Sequence, residues 1–297
     1  GLSELLFFDT ETTGLSGGTG TLAFLIGYGY FSDRGFVVRQ LFLRPSDPEP
    51  AQLVEFSRAL EGKTCLVSYN GKAFDAPILK NRLVINKLPA VLDGLQHIDM
   101  LHLARSIWKL RLESRGLKDL EREILHFERD TDEVPGWMIP EVYADYLRRG
   151  EIDNIPGVIS HNRLDVLSLA AVYLHAARLL SDPQCWAASP SLDQYSLARI
   201  LQKIGRHGAA GELYDPSVAS GLNASLTAEA YLRKAWAARN QENWLDYEQY
   251  CQLAAALDSE KAVLELAIYA EHKKKDYEMA LKYGQWLLAR AGGKKAP

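Results

Sequence analysis

The stretch from Leu5 to Leu15 constrains the fold more than any other part of the chain. An apolar run, Leu5-Leu6-Phe7-Phe8, leads straight into Asp9-Thr10-Glu11, and Thr12-Thr13-Gly14 follows with small polar residues and a glycine suited to a turn. This predicts a buried strand ending in two acids. Side chains alternate along a strand, so Asp9 and Glu11 point to the same side with Cα atoms about 6.6 Å apart. Two carboxylates so placed repel each other unless a counter-charge lies between them, and hard cations such as Mg²⁺ or Mn²⁺ prefer oxygen ligands. Alone, the pair also fits an ordinary solvated strand end, so its meaning depends on what the rest of the chain brings to it.

The 297 residues are enough for two domains, and 47% hydrophobic with 24% charged residues excludes disordered and fibrous classes. A formal net charge of −4 does not announce a nucleic-acid binder, although an acidic protein can carry a local basic groove. Cys65, Cys185 and Cys251 are too scattered for a disulfide framework and form no C-x-x-C pair; they read as reduced thiols of a cytoplasmic protein. No run approaches the ~20 apolar residues that span a bilayer, so no membrane partner is expected. Opening on Gly1 without a signal-peptide pattern suggests a trimmed or processed start.

Downstream, the glycine-rich Ser16–Gly20 loop lacks the lysine of a phosphate-binding P-loop. Thr21–Phe31 and Phe36–Leu43 read as strands joined by a turn, giving the sheet an antiparallel start; Glu49–Leu60 reads as a helix and Thr64–Tyr69 as a short buried strand. After the Asn70-Gly71 turn, Phe74, Ile78, Leu79 and Leu83 have helical spacing, which places Asp75 near a helix start at the carboxyl end of a strand. A helical pattern runs from Ile98 through Trp108, with Asp99 placed as a cap rather than as part of a metal cluster with His97 and His102. Gly116–Leu125 is a second short helix. His126–Gly157 is a long polar connection in which Trp137, Tyr143, Tyr146, Arg148 and Arg149 either contact a nucleic-acid strand or pin the loop to the sheet. His161 and Asp165, at i and i+4, share one face of the helix that runs to about Leu180.

Asp9, Glu11, Asp75 and Asp165, each in such a setting, resemble the four metal-binding acids of the DEDD-type 3′–5′ exonuclease superfamily. DTETTGL resembles its first motif, while Asn70, Phe74 and Asp75 match its second. In that superfamily the last motif has a histidine with four residues before the aspartate, or a tyrosine with three; this sequence has histidine at the tyrosine spacing. The resemblance covers about residues 5 to 180. Ser181–Ser191 reads as a linker, and everything beyond it is helical. There Leu232, Ala235 and Ala238 recur as Leu264, Ala267 and Ala270, an offset of 32, which resembles tetratricopeptide units of ~34 residues. The combination resembles the YprB-like predicted exonucleases of bacteria.

The expected fold class is α/β, a ribonuclease H-like mixed sheet flanked by helices over residues 1–182, followed by an all-α, tetratricopeptide-like domain over 190–297. The resemblance implies two Mg²⁺ or Mn²⁺ ions held by Asp9, Glu11, Asp75 and Asp165, with His161 as the base that takes the proton of the attacking water. It implies that Thr12, Thr13, Gly14, Leu15, Asn70 and Phe74 contact the terminal nucleotide, Leu15 acting as a wedge. The implied partner is the end of a single nucleic-acid strand, with a protein partner for the helical repeats. The alternative is a catalytically weak or inactive nucleic-acid-binding or scaffold protein acting through those repeats.

Overall fold

The sheet is built outward from β1 (Leu5–Thr12), whose first four residues are buried on both faces. In the computed structural model, which describes residues 1–14, 20–129 and 133–293, β1 pairs antiparallel with β2 (Ala23–Ser32), and β2 pairs antiparallel with β3 (Gly35–Phe42). Helix α1 (Glu49–Ala59) then leads to β4 (Cys65–Ser68), parallel to β1 on its other side. Helix α2 (Asp75–Ile85) leads to β5 (Gln96–Asp99), parallel to β4. Among the described residues the sheet is therefore five-stranded and mixed, in the order β3-β2-β1-β4-β5. Leu15 and the glycine-rich stretch up to Thr19 lie outside the described residues.

Helices cover both faces because β1 is apolar on both. Leu6 and Phe8 pack with Leu53 and Phe56 of α1 and with Ile78 and Leu79 of α2. On the other face, Phe7 makes edge-on ring contacts with Phe31, Phe36 and Tyr173. After β5 come α3 (Met100–Trp108), α4 (Leu117–Glu123), α5 (Ile139–Arg149) and α6 (Ile155–Ser181). Tyr173 belongs to α6. By length and composition α6 is apolar enough to cross a membrane, with a mean hydropathy of 1.4 over 18 residues, which the expectation of no such run overlooked. In this fold it lies against the sheet and buries His161, Asn162 and Ser168.

Two expectations in this region are corrected. The helical pattern begins at Met100, not Ile98, because Gln96–Asp99 is a strand too short to show its own period. The connection from His126 to Gly157 is not loop throughout, since α5 occupies its centre. Within α5, Tyr143 stacks on Phe24 with ring centroids 3.8 Å apart and donates a hydrogen bond to the Leu43 carbonyl, while Tyr146 packs on Phe42. These aromatics pin the segment to the sheet. Arg148 and Arg149 pair with Asp145 and Glu151, and Trp137 stays 73% exposed.

The chain forms two compact units, Gly1–Arg178 and Leu179–Pro297. The second begins with a packed segment in which Trp186 is buried, donates to the Leu179 carbonyl and accepts from Gln194 Nε2 through its own carbonyl. Six helices follow: α7 (Ser191–Lys203), α8 (His207–Ala219), α9 (Ala224–Asn240), α10 (Trp244–Ala255), α11 (Glu260–Tyr269) and α12 (Tyr277–Gly293), each packed on the next. Their buried positions recur at an offset of 34, as Ala198, Leu232 and Leu266, and as Leu201, Ala235 and Tyr269. The offset of 32 read from recurring residues pairs buried Ala238 with buried Ala270, but it pairs buried Leu232 with Leu264, which is 51% exposed.

Candidate metal centre

Strand alternation sends Thr10 to one face of the sheet and Asp9 and Glu11 to the other. Asp9 lies opposite Gly27 on β2, and Gly27 opposite Gln40 on β3. Above this row sits Asn162 of α6, fully buried, donating 2.9 Å to Asp9 Oδ2 and accepting 2.9 Å from Gln40 Nε2. Gly27 has to be glycine for this approach, because a Cβ there would fall 2.1 Å from Asn162 Oδ1. On the opposite face Thr10 Oγ1 donates to Asp75 Oδ1.

Asp75 follows a tightly organised turn before α2, and it is not among the acids whose donor atoms group within 4.8 Å. Buried Asp99, the cap of α3, accepts the backbone N–H groups of Asn70, Lys72 and Leu101 at 2.8, 3.2 and 3.0 Å. Asn70 is left-handed, with φ +62. Gly71 packs so closely that a Cβ would lie 2.6 Å from Ser68 Oγ and 2.9 Å from Asp75 Oδ2. Asp99 thus caps a helix, as expected, and also shapes the turn that carries Asp75.

The third contribution comes from α6. His161 Nε2 lies 3.4 Å from Asp165 Oδ2, and donor atoms of Glu11, His161 and Asp165 lie within 4.8 Å of one another. His161 Nδ1 is 2.8 Å from Glu133 Oε1, close enough for an ion pair but off the direction a hydrogen bond needs. Arg129, almost fully buried, bridges Glu121, Glu133 and Asp165, and Lys118 Nζ meets Glu133 at 2.7 Å. Sequence reasoning missed Asn162, Arg129, Glu133 and Gly27. Asn162 stood beside His161 without a sign of its partner, and Arg129 and Glu133 were hidden in the polar connection before α5.

The electrostatics are those of crowded acids. Burial, then the charges of Asp165, Glu11 and Asp75, holds the Asp9 carboxyl well above its ordinary range. Glu11 is pushed up to about 8, mainly by burial, and Asp75 to about 6 for the same reason. Burial also acts against ionised Asp165, but hydrogen bonding and charge from His161, with Arg129, outweigh it and hold that carboxyl low. His161 shows the reverse balance: burial opposes its protonated form, and Asp165, Glu11 and Glu133 outweigh burial. Asp9 and Asp75 are met by neutral donors, Asn162 and Thr10, so their charge is not compensated by those contacts. An oxygen-rich donor set with uncompensated negative charge fits divalent cations.

Of the residues expected to touch a nucleotide, Phe74 precedes Asp75 and is 51% exposed, and Asn70 forms the turn. Thr12 Oγ1 donates to the Gly14 carbonyl and Thr13 Oγ1 accepts from Leu22 N–H, which ties the end of β1 to the start of β2. Leu15 lies outside the described residues.

The chain is 33% identical over 302 residues to the uncharacterized protein YprB of Bacillus subtilis (strain 168), covering 97% of this chain and 70% of that protein. Among solved structures, the family B DNA polymerase from the hyperthermophilic archaeon Pyrobaculum calidifontis superposes with a TM-score of 0.43 at 16% identity, over 77% of this chain and 29% of the polymerase. This chain therefore spans less than a third of that polymerase's length. Residues 6–177, more than half of the chain and nearly all of the mixed sheet with the helices that carry the acids, match the RNase H superfamily, and the chain belongs to that superfamily.

Proposed function

We propose that the chain is a divalent-metal-dependent nuclease that removes nucleotides from the 3′ end of a nucleic-acid strand, with residues 1–182 as the nuclease domain. The observation that carries this reading is the grouping of Glu11, His161 and Asp165 donor atoms within 4.8 Å of one another, with Asp9 and Asp75 near enough for charge among these acids to raise the Asp9 carboxyl. Membership of the RNase H superfamily supports nuclease chemistry in general.

In this reading Asp9, Glu11, Asp75 and Asp165 hold two Mg²⁺ or Mn²⁺ ions, whose chemistry when bound is Lewis-acid stabilisation of the attacking water and the departing 3′ oxygen. Asn162 keeps Asp9 aimed into the centre, and Thr10 does the same for Asp75. Arg129 fixes one oxygen of Asp165. Phe74 offers an exposed apolar face beside the acids on which a terminal base can stack. Residues 190–297 form a tetratricopeptide-like domain that docks a protein partner, a reading supported by the 34-residue offset of buried positions.

End-labelled single-stranded DNA and RNA, assayed side by side with Mg²⁺ and with Mn²⁺, should shorten from the 3′ end. Asp9→Ala should lower the rate about a hundred- to a thousandfold, the size of losing one group that stabilises charge in the transition state. Unchanged metal-dependent hydrolysis in Asp9→Ala would defeat the assignment.

A further inference from the structure

We infer that His161 is itself a metal ligand, forming with Glu11 and Asp165 a mixed nitrogen and oxygen site that takes Mn²⁺, or a similar transition-metal ion, in preference to Mg²⁺. The inference rests on the reading of the acid cluster as a metal centre and assigns the imidazole a place within it.

Three observations converge on it. First, the donor atoms of Glu11, His161 and Asp165 all lie within 4.8 Å of one another. The 3.4 Å between His161 Nε2 and Asp165 Oδ2 is compatible with two donors each about 2.1 Å from one shared ion. The i, i+4 spacing on α6 puts both side chains on one face. Second, the other ring nitrogen faces a carboxylate, Glu133, which is itself held by Arg129 and Lys118. A metal-ligating histidine commonly has a carboxylate beside its second nitrogen, and Glu133 stands 2.8 Å from Nδ1, where a small turn of the ring would complete the hydrogen bond. Third, Arg129 engages Asp165 through Oδ1 and leaves Oδ2 on the side of the imidazole.

The ligand role and the general-base role exclude each other. With Nδ1 turned to Glu133, only Nε2 faces the acids, and a nitrogen bonded to a metal has no lone pair left for a proton. Imidazole suits transition metals, whereas Mg²⁺ selects oxygen. The histidine at the unusual spacing from Asp165 therefore changes which ion the centre prefers.

The test is pulsed EPR on the full chain loaded with Mn²⁺ alone, with calorimetric titration of Mn²⁺ and of Mg²⁺. We expect the ¹⁴N coupling of a directly bound imidazole, and its loss in His161→Gln together with a fall in the Mn²⁺/Mg²⁺ affinity ratio of at least about tenfold. Glu133→Gln should keep the coupling and weaken Mn²⁺ binding about 10- to 100-fold. Bound Mn²⁺ without nitrogen coupling in the wild-type chain, or coupling that survives in His161→Gln, overturns the inference whatever the variants do to folding. Hydrolysis by a chain whose Mn²⁺ shows no coupling would leave the nuclease and remove the ligand. Coupling without hydrolysis would do the opposite.

Discussion

Asn162 makes the clearest case for what a single side chain contributes here. It spans from Asp9 on β1 to Gln40 on β3, and the absence of a side chain at Gly27 is what lets it lie on the sheet. Replacing it by Ala would leave Asp9 with no donor from α6 while burial still disfavours its charge. We expect Asn162→Ala to weaken Mn²⁺ binding about tenfold or more, the scale seen when an outer-sphere partner is lost, with the fold kept. Calorimetric titration checks this, and an unchanged affinity would show that Asp9 needs no such support. The placing of Asp9 and Glu11 at the end of a buried strand was legible because an apolar run leads straight into two acids of one parity. Asn162 was not, because its partner lies 153 residues away and an amide in a helix gives no outward sign of burial. Arg129 was illegible for the same reason: its three carboxylate partners come from α4, the connection before α5, and α6.

Among the elements, the strands and helices with strong periodicity were readable, and β5 and α5 were not. Four residues of half-buried strand leave no alternation to detect, and the capped helix that follows supplies a stronger signal. Helix α5 did carry its punctuation: Pro140 in the first turn and Gly150 in a left-handed conformation at the end, φ +72. Polar flanks and the nearby Pro135-Gly136 masked it. Tyr143, 1% exposed and stacked on Phe24, holds α5 to the sheet together with Ile139 and Val142. We expect Tyr143→Ala to cost about 3–5 kcal/mol of stability, and Tyr143→Phe, which removes only the bond to the Leu43 carbonyl, about 1 kcal/mol. Exposed Trp137 provides the contrast, its replacement by Ala staying within about 0.5 kcal/mol. Urea unfolding of the three variants would test the ranking. A Tyr143→Ala chain as stable as the wild type would mean that α5 is held by something other than this stack.

At the scale of the molecule, the superfamily match ends at residue 177, so the second unit has to be understood from its own regularity. In a stack of helical hairpins each repeat buries its apolar face against its neighbours, so the repeat length is fixed by which positions are buried, not by which residue types recur. Small and apolar residues are common enough in helices that the recurrence of residue types gave an offset of 32, whereas burial gives 34. The two registers make opposite statements about neighbouring leucines on α11. With 34, Leu266 succeeds Ala198 and Leu232 in the core, at 3% exposure, and Leu264 faces outward at 51%. Leu266→Ala should therefore cost about 2–5 kcal/mol, the range for emptying a packed leucine site, and Leu264→Ala no more than about 0.5 kcal/mol. Both are leucine-to-alanine changes two residues apart on one helix, so propensity and unfolded-state effects nearly cancel and the difference reports burial. Equal losses from the two variants in urea unfolding would show that the 34-residue register is wrong, and the case for tetratricopeptide-like hairpins would go with it.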